Sequence, residues 1–146
     1  MSNLLLGSVV VLLDDPLGGV VVSDGQTQEP LTEETLQIIN DSSPVWLVSD
    51  RRTLRRVMRR GGRPTRCVCL PDYNRLLDQA GAAKVSLPDP MRPAAMIEVA
   101  NQVGYRLRDH GLARVAKLES SFLPVCEQLQ ATGLPVDLVA WDDVLA

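Results

Sequence analysis

Residues 45–69 read VWLVSDRRTLRRVMRRGGRPTRCVC, and this run decides the fold class. Val45, Trp46, Leu47 and Val48 make a short β-branched and aromatic run of the kind that forms a buried strand, and Asp50 behind it can accept from the free N–H groups of a following helix. Leu54, Val57 and Met58 recur at helical spacing across 51–60, and Gly61-Gly62 ends the helix. Residues 66–69 then read as another strand, followed by a helix from Asp72 through Leu76, Leu77 and Gln79 to Gly81. Strand, helix, strand, helix in this tight order predicts parallel pairing with right-handed crossovers, the mark of an α/β domain.

Working outward, residues 9–13 and 20–23 are apolar runs separated by Asp14-Asp15-Pro16-Leu17-Gly18-Gly19, which predicts a hairpin whose strands are buried on both faces. Thr32 caps a short helix with Glu33 and Glu34 in its first turn and Leu36 and Ile39 facing inward. On the other side, residues 82–93 are Pro-rich and read as a surface loop, and helices follow over 94–109 and 112–131, parted by His110-Gly111. In the last of these, Leu118, Phe122, Cys126 and Leu129 form an apolar stripe, and the expectation is that Leu118 and Phe122 pack inward. Pro124 removes one backbone hydrogen bond from that helix, which predicts a kink or a fresh start capped by Ser121. Gly133 supplies the C-cap, 134–136 an extended connector, and Asp137 the cap of a final helix over 138–146, where Trp141 and Leu145 are expected to be exposed.

The chain has 146 residues, 45% of them apolar, enough for one domain with a core plus an appendage. Aromatics are only 3%, which disfavours a single-strand binder built on stacking platforms. Cys67, Cys69 and Cys126 have no paired spacing, which points to reduced thiols and a cytoplasmic compartment. With His110 they make a poor zinc set, because Cys-x-Cys on a strand is unlike the usual ligand loop. The apolar N-terminus has no basic flank and is interrupted by Gly7-Ser8, so neither a signal peptide nor a membrane span is expected. A net charge of −3 hides an asymmetry: residues 1–50 hold eight carboxylates and no Lys or Arg, whereas 51–66 hold eight arginines. Arg51, Arg55 and Arg59 share one line of a helix, and Arg52, Arg56 and Arg60 the next, with Arg63 and Arg66 just beyond. Such a face suits sequence-blind contact with a nucleic-acid backbone, or with an acidic face of this chain or of a partner protein.

Residues 117–137, KLESSFLPVCEQLQATGLPVD, carry a resemblance. Leu118-Glu119, Phe122-Leu123-Pro124-Val125, Leu129, Thr132-Gly133-Leu134 and Val136-Asp137 resemble the joint of family A DNA polymerases, which leads from the 3′–5′ exonuclease domain into the polymerase thumb. The resemblance is strong over these twenty residues and weak over the preceding hundred, where a hairpin, a helix and then alternating strands and helices follow the order of the ribonuclease H-like exonuclease fold. It implies an exonuclease-like domain with a short mixed sheet over 1–110, and a helical joint over 111–146.

A family exonuclease holds two metal ions on converging carboxylates, since in-line phosphodiester displacement needs charge stabilisation on both attacking and leaving oxygens. The resemblance implies that this set is degenerate here. The family's Asp-x-Glu becomes the adjacent pair Asp14-Asp15, with no Glu after it. Registering the second motif on Leu54 places Ser49 and Thr53 at its Asn and Asp, and registering the run Arg75-Leu76-Leu77-Asp78 places Cys69 at a further acid. Tyr105 and Asp109 match Tyr-x-x-x-Asp literally, but late in their helix. The expectation is therefore a non-catalytic module with a structural or DNA-guiding role in replication or repair, without resident cofactor, whose partners are DNA and a polymerase thumb and palm. Two alternatives stand beside it: an active, Mg²⁺-dependent exonuclease with a rearranged site of Asp14, Asp15, Asp50 and Asp109, and a small α/β adaptor whose arginine helix binds an acidic protein.

Overall fold

Val10, Val11 and Leu12, three consecutive residues of strand β1 (Val9–Asp14), are completely buried. A strand apolar on both faces must be covered on both, and that requirement sets the architecture. The computed structural model of the chain describes residues 8–87, 92–133 and 138–145. The connector at 134–137, with its cap Asp137, and the side chains of Trp141 and Leu145 lie outside the described set.

β1 pairs antiparallel with β2 (Val20–Ser23) on one side and parallel with β4 (Val45–Val48) on the other. β2 continues antiparallel to β3 (Gln28–Pro30), and β4 parallel to β5 (Cys67–Cys69), so the mixed sheet has the order β3-β2-β1-β4-β5. The alternation of side chains across each strand splits the core in two. Val10, Leu12, Trp46 and Val48 face helices α1 (Glu33–Ser42) and α2 (Arg51–Arg59), where they meet Ile39, Leu54 and Val57. Val11 and Leu47 face α3 (Leu70–Gln79) and α4 (Pro93–Asp109), where they meet Leu77, Met96 and Leu107. Helix α5 (Ala113–Thr132) adds Ala116 to the second core and Leu123 to the first, so it straddles the sheet at the β5 edge. A short α6 (Leu138–Leu145) follows, with Val139 and Val144 exposed.

The expected helix caps are present: the Thr32 hydroxyl accepts from Thr35 N, and the Asp50 carboxylate accepts from Arg52 N at 2.8 Å. Gly133 (φ 72°) closes α5, its N–H donating to Leu129 O. Four expectations need correction. The sheet has a strand beyond those predicted, β3, which is short and carries Pro30, tolerable because β3 is an edge. Residues 82–87 are irregular but do not merely run over the surface. Ala82 and Val85 are buried, and Asn74 binds Val85 through both backbone groups at 2.6 and 2.9 Å. Helix α5 continues through Pro124 as one helix, without a fresh start at Ser121. The lost hydrogen bond is outweighed by packing on both sides of it, with Leu123 in the core and Glu127 ion-paired below.

The fourth correction concerns which face of α5 is inside. Ala116, Ser120, Leu123 and Glu127 are buried, whereas Leu118 and Phe122 are exposed and Cys126 only half-buried. The buried face combines the small Ala116 and Ser120 with Leu123 in the core and Glu127 paired to Arg55, and the stripe of Leu118 and Phe122 is turned outward.

Glycine substitutions test the packing directly. A Cβ at Gly62 would lie 2.5 Å from the Trp46 ring and 2.9 Å from Val57 O, so Gly62→Ala should cost about 1–3 kcal/mol in urea unfolding. Gly104, inside α4 with open space around it, is the contrast: Gly104→Ala should be neutral or stabilise by up to about 1 kcal/mol.

Candidate functional site

Parallel strands bring their C-terminal ends together, and in open α/β sheets that edge is where ligands bind. Here it is built by β1, β4 and β5. Leu12 pairs with Val48, and Val48 with Cys69, so Asp14 and Asp50 project two residues past one paired row, and Asp72 stands three residues past Cys69 in the first turn of α3. Each of these carboxylates is held by an arginine. Arg56 Nη1 donates to Asp14 at 2.8 Å, Arg52 Nη2 to Asp50 at 2.9 Å, and Arg51 Nε to Asp72 at 2.6 Å, with Arg75 Nη2 on the other Asp72 oxygen at 2.8 Å.

Both lines of arginines on α2 enter this network. Arg51 and Arg55 turn toward α3 and α5, and Arg52 and Arg56 toward the strand ends. Arg55 Nε donates to Glu127 at 2.8 Å, and its Nη2 to Gln130 at 3.0 Å. Glu127 is 1% exposed, so Arg55 supplies the cation that such a buried carboxylate requires. The Arg52 guanidinium on Asp50 holds that carboxyl below its usual range.

The residues matched to the exonuclease motifs offer no further acid. Thr53 is buried in α2 with its hydroxyl unpartnered. The Cys69 thiol is pushed up to about 12 by burial and stays protonated at neutral pH. Asp15 accepts from Leu17 N within the hairpin turn, and Asp109 is exposed in the last turn of α4 beside His110. Among the described residues, no three His, Cys, Asp or Glu side chains gather closely enough to share an ion. The structure thus brings Asp14 and Asp50 to one edge and leaves Asp15 and Asp109 in other settings.

The remaining arginines of residues 51–66 form a second group. Arg59, Arg60, Arg63 and Arg66 are exposed along the end of α2 and the loop into β5. Arg60 donates to Leu31 O, and the loop is braced by Asn40, which accepts from Arg63 N and donates to Gly61 O. Sequence reasoning missed Asp72 and Glu127, the two most buried carboxylates of the network. Asp72 follows Pro71 at a helix start, where an acid reads as ordinary helix chemistry, and Glu127 lies four residues after Leu123 on the face assigned to solvent.

No protein-family model matches the chain, and no curated protein sequence matches it. No helix among the described residues is long and apolar enough to cross a membrane.

The Arg55–Glu127 pair joins α5 to α2, and a double-mutant cycle measures it. Arg55→Met should lower the thermal midpoint, because it strands a buried carboxylate. Adding Glu127→Leu should recover most of the loss. Equal and additive losses would mean that the two side chains do not act as a pair.

Proposed function

We propose that this chain is a non-catalytic, ribonuclease H-like (3′–5′ exonuclease-like) module of the family A DNA polymerase type, with a structural or DNA-guiding role. The observation that carries the reading is the arginine pairing of Asp14, Asp50 and Asp72. An edge that in a working nuclease must leave carboxylate oxygens free for two cations is here neutralised by side chains of the same chain. The element order supports the fold assignment: a hairpin, a helix, and two parallel crossovers on a mixed sheet, with α5 in the place of the polymerase-like joint. DNA contact then falls to Arg59, Arg60, Arg63 and Arg66, whose charges no carboxylate at the edge neutralises. The polymerase thumb and palm, as the partners the resemblance implies, would meet the outward face of α5.

Incubation of the chain with a labelled single strand in Mg²⁺ or Mn²⁺ should leave the strand intact. Shortening that Asp14→Ala or Asp50→Ala abolishes would overturn the non-catalytic reading. Retention of the same strand should fall steeply between about 50 and 200 mM salt, as backbone neutralisation requires. The triple change Arg59→Glu, Arg63→Glu, Arg66→Glu should abolish it. Retention that survives this triple change would remove the loop as the DNA surface.

A further inference from the structure

The outward face of α5 is a seam with the spacing of a coiled coil. Val115, Leu118, Phe122, Val125 and Leu129 follow one another in steps of three, four, three and four, the repeat that keeps apolar residues facing a second helix. They are 45%, 63%, 63%, 51% and 49% exposed. At about 100° per residue, this stripe lies roughly 150° around the helix from buried Ala116, Ser120, Leu123 and Glu127. The domain therefore covers one side of α5 and leaves the other open to approach. Grooves run along both flanks of the seam, one floored by Leu76 and Leu123, the other by Met58 and Pro64.

We infer that the isolated chain closes this seam with a second copy of itself, the two α5 helices packing antiparallel about a two-fold axis between Phe122 and Val125. In that register Phe122 meets the second copy's Val125, Leu118 meets its Leu129, and both pairs recur across the axis, giving four consecutive apolar layers. The flanking positions do not oppose the pairing. Glu119 comes beside Cys126 and Ser121 beside Gln128, so no like charges meet. The five side chains expose on the order of 500 Å² per copy, so two copies bury at most about 1,000 Å² from the seam, the lower bound for a specific interface, and the flanking grooves add to it. The inference holds whether or not the chain is of polymerase type. A polymerase helix supplied in trans would compete for the same face.

Sedimentation equilibrium of the full chain tests this. A reversible dimer is expected, and Phe122→Glu should weaken it at least about 30-fold, the loss of a central interface anchor. Because Phe122 lies outside both cores, the thermal midpoint of the monomer should not change. Val125→Lys should likewise be monomeric, and mixing it with Phe122→Glu should restore association as a heterodimer, since the proposed register places the new Glu against the new Lys. A chain that stays monomeric up to about 1 mM would overturn the inference and assign the face to a different chain. A dimer that persists in Phe122→Glu would also overturn it, by placing the contact elsewhere.

Discussion

Charge neutralisation at the C-terminal edge of the sheet is the constraint on which the rest of the structure depends. Asp14, Asp50, Asp72 and Glu127 come from four separate parts of the chain, and a single helix, α2, supplies an arginine to each of them. The pairs on Asp14 and Asp50 are exposed and contribute little to stability by themselves. Those on Asp72 and Glu127 are different, because a carboxylate removed from water requires its cation. The same contacts therefore do two things: they fasten α3 and α5 to α2, and they engage at least one oxygen of each carboxylate at the edge.

Helix α5 shows how the sheet handles an open edge. β5 is only three residues long, and its outer side is covered by a helix rather than by another strand, one of the ways an edge is kept from pairing with a second chain. Tyr73 assists from α3, its hydroxyl donating to Ala116 O at 2.7 Å, with the phenol pushed up to about 12 by burial. Ala116, Ser120 and Leu123 pack inward, and Leu118 and Phe122 turn away. Beside them one oxygen of Glu119 is buried without a partner, and burial pushes that carboxyl upward. The helix is thus held on one side by Leu123, small contacts and polar anchors, while a second apolar stripe faces outward.

Much of this was legible in the sequence. The strands at 9–13, 20–23 and 45–48, the caps Thr32 and Asp50 and the stop at Gly133 each follow from local chemistry that the tertiary structure does not oppose. β3 escaped because three residues ending in Pro carry no alternation to read. The inward face of α5 was misassigned for a more general reason. Ala116, Ser120, Leu123 and Glu127 share the helical spacing of Leu118, Phe122 and Leu129, and hydrophobicity alone selects the second set. Which stripe is buried follows from the core residues around Cys67 and Cys69 that Leu123 joins and from the Arg55–Glu127 pair, both distant in sequence. The arginine face was visible as a charge run, but its partition was not. Arg51, Arg55 and Arg56 are separated from Arg59, Arg60, Arg63 and Arg66 by distant carboxylates that the fold brings within reach, and only the Arg52–Asp50 pair is local.

The carboxylates at the strand ends are committed to arginine. Paramagnetic line broadening tests this commitment most directly: Mn²⁺ is titrated into isotopically labelled protein while the backbone amides of Asp14, Asp50 and Asp72 are followed. Only weak broadening is expected, shared with other exposed acidic residues such as Asp41 and Asp109. Selective loss of the Asp14, Asp50 and Asp72 signals at low Mn²⁺ would contradict it, because those oxygens would then be free to hold a cation.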